Sequence, residues 1–490
     1  MKTGTYRLPA RLAGVHATLA CGVLSLMTAS CGGSDSPPTM VAMGQAPAAG
    51  PGPTLKPTPA PSAENNMVDI WNQEAVTTLS NTAAASTPGV QLTPPVAFIH
   101  LAIVQAAVYD AVNAIKGGHD PYLGGLKAPT SASKGAAAAT AAHDALIGIV
   151  KQVPVTTTVT DDIKSAVKAR LDIDYANSLA EIPAGEARNQ GVDVGAAAAA
   201  AMLANRTGDG RFGAPGFPVP IAPGPGQWRP MPVNDPNAWV RNVRPFTLPT
   251  QDYYQTAGPN ALTSQQYTIE FNEVKALGRA TGSTRTDAQT LLAYWSAGHP
   301  LQLLYGAMRQ VAATKGLTIT EQARFHAMTS MSGADSLINC WAEKARWGFW
   351  RPTTAIQLAA DDDNPATVAD PNWTSLLALP PYADEPSGAN CVFSGVMNSA
   401  RAFFGSDQAV FDITSPGLGL VNGLSTGSTR HYTTFSAVIP DMIDARVFGG
   451  LHFRTADVHG AMLGQFVADY VDKNFFNCGP SGQCSQEERQ

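Results

Sequence analysis

The chain has 490 residues, a net charge of −6 at neutral pH, 44% hydrophobic residues and 6 cysteines. That balance excludes an electrostatic nucleic-acid binder, which needs a basic surface. Single cores stop growing near about 250–300 residues, so the folded part is expected to be one large domain or two packed subdomains.

Residues 1–31 read as an export signal. Lys2, Arg7 and Arg11 precede an apolar stretch over 12–29 that carries His16, Thr18, Ser25 and Thr28. Those polar residues and the linker that follows speak against a membrane span. The Ala29-Ser30-Cys31 ending resembles a bacterial lipoprotein cleavage site, with Thr28 where leucine is usual. A lipid on Cys31 would tether the protein to a membrane, in a bacterium the outer one, without crossing it. Without it the product is periplasmic or secreted. Residues 32–66 are dense in Pro, Ala and Gly and predict a disordered linker.

Beyond the linker, alternating strand patterns are scarce and helical ones numerous. Residues 96–115 follow Pro94-Pro95 and stop at Gly117-Gly118, as a buried helix should. Helices are further expected over 135–150, 160–180 and 187–205. Residues 211–250, rich in Pro, Gly and Trp, read as an ordered surface excursion. Helical patterns resume over 263–277, 286–296 and 302–315. Thr318 and Glu321 form a candidate capping box for a helix running to about residue 350. Later ones fit 390–404, 437–448 and 456–475. The fold class is all-α: an N-terminal bundle with its excursion over 67–250, a second bundle over 251–477, and a tail over 478–490. Export permits disulfides. Cys478 and Cys484 are expected to pair, whereas Cys340 and Cys391 are either bridged or two buried thiols.

Three segments of the second bundle carry chemistry. In 344–352 (KARWGFWRP), Lys344 and Arg351 are spaced to share one helix face, two turns less about 20°, with Pro352 ending the helix. In 385–395 (EPSGANCVFSG), Ser387 and Gly388 open a helix whose N–H groups and dipole favour an anion. In 446–452 (RVFGGLH), Arg446 and His452 would lie about 120° apart on an unbroken helix, and Gly449 and Gly450 permit a bend. Asp457 is placed to orient the imidazole. Read singly, these are solvated cations, an ordinary helix cap and a core histidine. Read together, they form an anchor set for a tetrahedral oxyanion, because arginine offers a planar fork of donors and lysine a point charge.

Lys-x6-Arg-Pro, Pro-Ser-Gly and Arg-x5-His in this order resemble the signature of the vanadium-dependent haloperoxidase and type 2 phosphatidic-acid phosphatase superfamily. The likeness runs from residue 66 to about 475. It includes Tyr109-Asp110-Ala111-Val112-Asn113-Ala114-Ile115, Trp228-Arg229-Pro230 and Trp350-Arg351-Pro352, which look like the secreted bacterial haloperoxidase-like branch. The resemblance implies vanadate held by Lys344, Arg351, Arg446, Ser387 and the Gly388 backbone, with His452 as its axial ligand. Hydrogen peroxide and halide would be the reactants. The phosphatase alternative implies a phosphate ester and a phospho-His452 intermediate, and a third alternative is a non-catalytic oxyanion binder. The sequence departs from the family at one point. The family reads Pro-Ser-Gly-His, and here Ala389 follows Pro-Ser-Gly, or in a second register Asn390 takes the place of the acid–base histidine. Asn390 donates hydrogen bonds but exchanges no proton near neutral pH. His299 is a candidate replacement, and Trp347, Phe349 and Trp350 are candidate walls of a halide pocket or else core.

Overall fold

The computed structural model describes residues 63–479 apart from 83, 232, 422 and 423. The export signal, Cys31, most of the expected linker and Cys484 lie outside the described residues. The end of that linker is not disordered: Ala63–Asn66 form a 3-10 turn. Ser133 Oγ donates to Glu64 Oε1 at 2.6 Å and holds it in place.

The first bundle comprises α1 (Met67–Ser80), α2 (Pro94–Lys116), α3 (Lys134–Gln152), α4 (Asp161–Ala180) and α5 (Glu186–Asn205). The sequence reading missed α1. Prolines open α2, where their missing N–H groups cost nothing, and Gly117 closes it at φ 70°. By length and composition α2 could cross a membrane, but its most apolar window is 100% buried in the protein. It packs on α3 and on α9 of the second bundle, which is why it is apolar on all sides.

The second bundle holds α6 (Gln265–Leu277), α7 (Asp287–Trp295), α8 (Pro300–Thr314), α9 (Ile319–Trp347), the short α10 (Pro352–Gln357), α11 (Gly388–Phe404), α12 (Val438–Phe448) and α13 (Arg454–Asn474). Helix α9 has 29 residues and starts at the expected Thr318–Glu321 capping box. Helices α9, α11 and α13 pack on one another. One apolar core runs from Met67 to Phe476, so the two bundles share an interior.

The excursion between the bundles is pinned by polar side chains of α9. Buried Asp335 accepts from the backbone N–H groups of Phe246, Thr247 and Leu248 at 2.7, 2.7 and 3.1 Å and from Thr247 Oγ1. One turn on, Asn339 exchanges two hydrogen bonds with the Tyr254 backbone, at 2.8 and 3.0 Å. One turn further, Glu343 accepts from Thr256 N at 2.7 Å. Beyond one 3-10 helix at Ala238–Asn242, the excursion thereby pairs backbone groups with side chains of α9.

Four short strands were not expected. β1 (Gln408–Ser415) pairs antiparallel with β4 (Ser428–Thr434), and β2 (Leu420–Val421) pairs with β3 (Leu424–Ser425) inside that arm. Ala409, Phe411, Ile413 and Ser415 of β1 are buried in strict alternation. Cys340 and Cys391 are free, buried thiols. Cys478 is disulfide-bonded.

Candidate oxyanion site

Lys344 and Arg351 do not share a helix. Helix α9 ends at Trp347, because Gly348 takes the left-handed conformation at φ 51°. Residues 348–350 then pair with the excursion: Trp228 N donates to Gly348 O at 2.7 Å and Trp350 N to Gly226 O at 2.9 Å. Arg351 becomes the N-cap of α10, with Pro352 at its first position. The helix therefore stops earlier than Pro352 alone predicts, and backbone pairing places Arg351.

Lys344 is fully buried. Its Nζ donates to Ala383 O at 2.7 Å, to Asp384 O at 3.0 Å and to Pro386 O. An ammonium has three donors, so Lys344 staples the 383–386 turn and adds its charge from behind. Burial pulls its pKa down to about 8, which leaves it cationic at neutral pH. Arg351 Nε donates to Tyr382 O and Nη1 to Leu451 O, each at 2.8 Å, and Nη1 lies 3.1 Å from His452 Nε2. Its Nη2 is buried without a hydrogen-bond partner. Tyr382 lies under both cations, 5.1 Å from Lys344 Nζ and from Arg351 Cζ, a cation–π arrangement.

His452 stands on the bend between α12 and α13. Gly450 has φ 75°, and a Cβ there would lie 2.4 Å from Gly278 O, so only glycine fits. Arg446, in the last turn of α12, makes only long contacts of 3.5 and 3.4 Å to Ser296 O and Oγ. Its Nε is buried and unpartnered.

The imidazole is oriented by Asp384, which the sequence reading missed, and not by Asp457. His452 Nδ1 lies 2.8 Å from Asp384 Oδ1, without the alignment of a hydrogen bond. Burial and the charges of Arg351, Lys344 and Arg446 hold His452 well below its ordinary pKa. Burial holds Asp384 well above the carboxylate range, against the charges of Arg351 and Lys344. A neutral imidazole keeps the lone pair that ligation or nucleophilic attack requires.

Asp457 instead accepts from Asn390 Nδ2 at 2.8 Å. Burial pushes its carboxyl up to about 8, against hydrogen bonds from Ser387 and Asn390 and the charge of Arg446. Asn390 also donates to Ser387 Oγ at 3.3 Å. Helix α13 is held this close because Gly460 has no side chain; a Cβ there would lie 2.5 Å from Ser387 O. Asn390 is turned away from the open space of the site.

That space is a cavity of about 420 Å3 whose lining includes Gly388, Ala389, Arg446 and His452. Ser387, Asn390, Asp457, Lys344 and Arg351 are not among its lining residues. Ala389, not Asn390, thus shares the cavity lining with His452. Trp347, Phe349 and Trp350 do not line the cavity either: Phe349 and Trp350 pack in a separate core with Tyr267 and Phe453, and Trp347 Nε1 donates to Thr256 and Glu343. His299 does line it, but both its nitrogens are committed: Nε2 to Leu92 O at 3.1 Å, and Nδ1 accepting from Leu301 N at 3.3 Å.

Residues 324–477 match the profile of the VCPO second helical-bundle domain. The C-terminal bundle is of the vanadium haloperoxidase type. The chain is also similar to the solved structure described as the first bacterial vanadium-dependent iodoperoxidase, with a TM-score of 0.63 and 18% identity over 84% of this chain and 97% of that one. A holo-type bacterial vanadium-dependent chloroperoxidase gives 0.61 and 17% over 78% and 93%. Its apo-type counterpart gives 0.61 and 18% over 78% and 94%. No curated protein sequence matches the chain. At these identities the solved structures establish the haloperoxidase-type helical fold.

Proposed function

We propose that the chain is an exported haloperoxidase-like enzyme whose catalytic bundle, residues 251–477, binds vanadate over His452. The observation that carries this reading is the pair of buried, unpartnered arginine donors, Arg351 Nη2 and Arg446 Nε. A buried donor without a partner costs about 1–3 kcal/mol, and an oxyanion supplies the missing acceptors. The donors fit vanadate: two guanidinium groups, the charge of Lys344 and the start of α11 would hold its oxygens, and the His452 imidazole would bind the vanadium. Vanadate, when bound, supplies the centre at which hydrogen peroxide is activated toward halide.

The chain's own residues set the conditions for that chemistry. Burial and the charges of Arg351, Lys344 and Arg446 hold the His452 pKa down. Asp384 Oδ1 stands 2.8 Å from the Nδ1 side of the ring. Among the described residues, the histidines lining the cavity are His452 and the committed His299, and Ala389 cannot shuttle a proton. Turnover is therefore attenuated, since general acid–base help is typically worth about 10²–10⁴-fold.

The test is vanadium content and 51V resonance of the mature protein after incubation with vanadate, compared with His452→Ala. Stoichiometric uptake, lost in the variant, is the expected result. No uptake by the wild type, or equal uptake by both, overturns the reading. Phosphoryl transfer through a phospho-His452 would use the same neutral imidazole. Turnover of activated aryl phosphates without vanadate uptake would favour it.

A further inference from the structure

Lys344 holds the 383–386 turn by its carbonyls, and the start of α13 holds the residues of that turn and those that follow. Ser387 N donates to Ala456 O at 2.8 Å. Asp457 accepts from Asn390 Nδ2, and Gly460 lets the helix close on Ser387 O. The fourth contact of this grip is His459, whose Nδ1 lies 2.6 Å from Glu385 Oε1. Glu385 stands in the chain between Asp384, which faces His452, and Pro386, whose carbonyl accepts from Lys344. Ser387 and Gly388, where α11 starts, come next. Fixing the Glu385 side chain therefore fixes a segment that carries both the neighbour of His452 and the helix start of the oxyanion site.

His459 differs from the rest of the grip in two ways. Its side chain is 17% exposed where that of Glu385 is 1% exposed, so a buried contact meets solvent here. Imidazole is also the side chain whose charge changes near neutral pH. The charges that act on it are those of Glu385, Glu270 on α6 and Glu343 on α9. The last two have partners of their own. Glu270 accepts from Thr455 Oγ1 at 2.6 Å and Gln266 Nε2 at 2.8 Å. Glu343 accepts from Thr256 N at 2.7 Å and Trp347 Nε1 at 3.1 Å, and lies 3.5 Å from Arg346. Glu385 also accepts from Thr256 Oγ1, at the longer distance of 3.3 Å, so His459 is its tighter partner. Burial lowers the His459 pKa, but the hydrogen bond and charge of Glu385 outweigh it and raise the value.

We propose that His459 is a positioning residue that gives the oxyanion site its response to pH: as an imidazolium it clamps Glu385 and with it residues 384–388, and without its proton it lets that segment slacken. The role rests on the reading that this site holds an oxyanion. With a raised folded-state pKa, the clamp is complete below about pH 6.5 and is lost as pH rises through the folded value. Oxyanion affinity falls with it. His459 touches no ligand and acts only through Glu385.

The experiment is equilibrium binding of vanadate to the mature protein, followed by 51V resonance in steps from about pH 6 to about pH 9. The wild type is compared with His459→Gln, which can donate to Glu385 but stays neutral, and with His459→Lys, which stays cationic throughout. Vanadate and Lys344 also titrate in this range, so the quantity read is each variant's Kd divided by the wild-type Kd at the same pH. His459→Gln should bind about tenfold more weakly at the acid end and match the wild type at the alkaline end. His459→Lys should match it at the acid end and bind about tenfold more tightly at the alkaline end. Circular dichroism checks folding, and Glu385→Gln, expected to follow His459→Gln, replaces a variant that fails to fold. Ratios that do not change with pH overturn the proposal alone and leave His459 as packing. No vanadate uptake by the wild type at any pH overturns the haloperoxidase reading and this proposal with it.

Discussion

Two buried polar clusters lie along the same stretch of chain and differ in one respect. On α9, Asp335, Asn339 and Glu343 are almost inaccessible, and each accepts hydrogen bonds from the excursion over 246–256. Around His452, Arg351 Nη2, Arg446 Nε, Asp384 Oδ2, Asn390 Oδ1 and Asp457 Oδ2 are equally buried and have no hydrogen-bond partner. The first cluster is complete within the chain and supports the fold. The second is incomplete within the chain, and the sign of what it lacks at the arginines is negative. A buried polar group says little by itself; whether the chain satisfies it separates scaffold from site.

The sharpest way to press this contrast is to supply what the second cluster lacks. Ala389→His puts an imidazole into the cavity and should raise peroxidase turnover by about 10²–10⁴-fold. Asn390→His should raise it little, because that position faces Asp457. Equal gains from both, in steady-state assays with halide and peroxide, would break the geometric distinction. Next in size, Asp335→Ala strands three backbone N–H groups and should cost roughly 3–5 kcal/mol in denaturant unfolding. A loss under about 1 kcal/mol would show that water replaces the carboxylate. Arg446→Gln should do the opposite, leaving the unfolding midpoint nearly unchanged while weakening vanadate binding about 10–100-fold. Comparable losses of stability in the two variants would erase the contrast.

The smallest effect concerns His459, 2.6 Å from Glu385 Oε1. Burial lowers its pKa, but the hydrogen bond and charge of Glu385 outweigh that and raise it above the ordinary value. A raised folded-state pKa means the pair's stabilisation is complete below about pH 6.5 and fades as pH rises through the folded value. Thermal midpoints taken across that window should fall with pH in the wild type and stay flatter in His459→Gln.

Most helices were legible because their ends are written locally: Pro94-Pro95 and Gly117 bound α2, and Thr318 with Glu321 starts α9. Helix α1 was missed because its start, at Asn66, makes no side-chain cap hydrogen bond and follows directly on a linker-like stretch. The β1–β4 arm did carry a period-two signal at Ala409, Phe411 and Ile413, in a chain otherwise read for helices. At the site, the anchors were legible as residue types, but their partners were not. Asp384 comes near His452 only through the bend at Gly450, across 68 residues of sequence (452 − 384). The offset of Arg351 from α9 depends on pairing with residues 226–228, more than a hundred positions upstream. Such placements are properties of tertiary pairing, and no spacing rule contains them.

The free thiols of Cys340 and Cys391 carry one more consequence. Cys340 Sγ donates to Pro386 O at 3.6 Å, on the turn that Lys344 staples. An enzyme that handles peroxide beside sulfur invites its own inactivation. Here both sulfurs are wholly buried, and burial raises the Cys391 thiol well above its ordinary value. The thiolate is the form that oxidants attack. With both sulfurs behind the stapled turn, the proposed function would let the protein keep sulfur as packing next to a corrosive reaction, and its working lifetime need not be set by thiol damage.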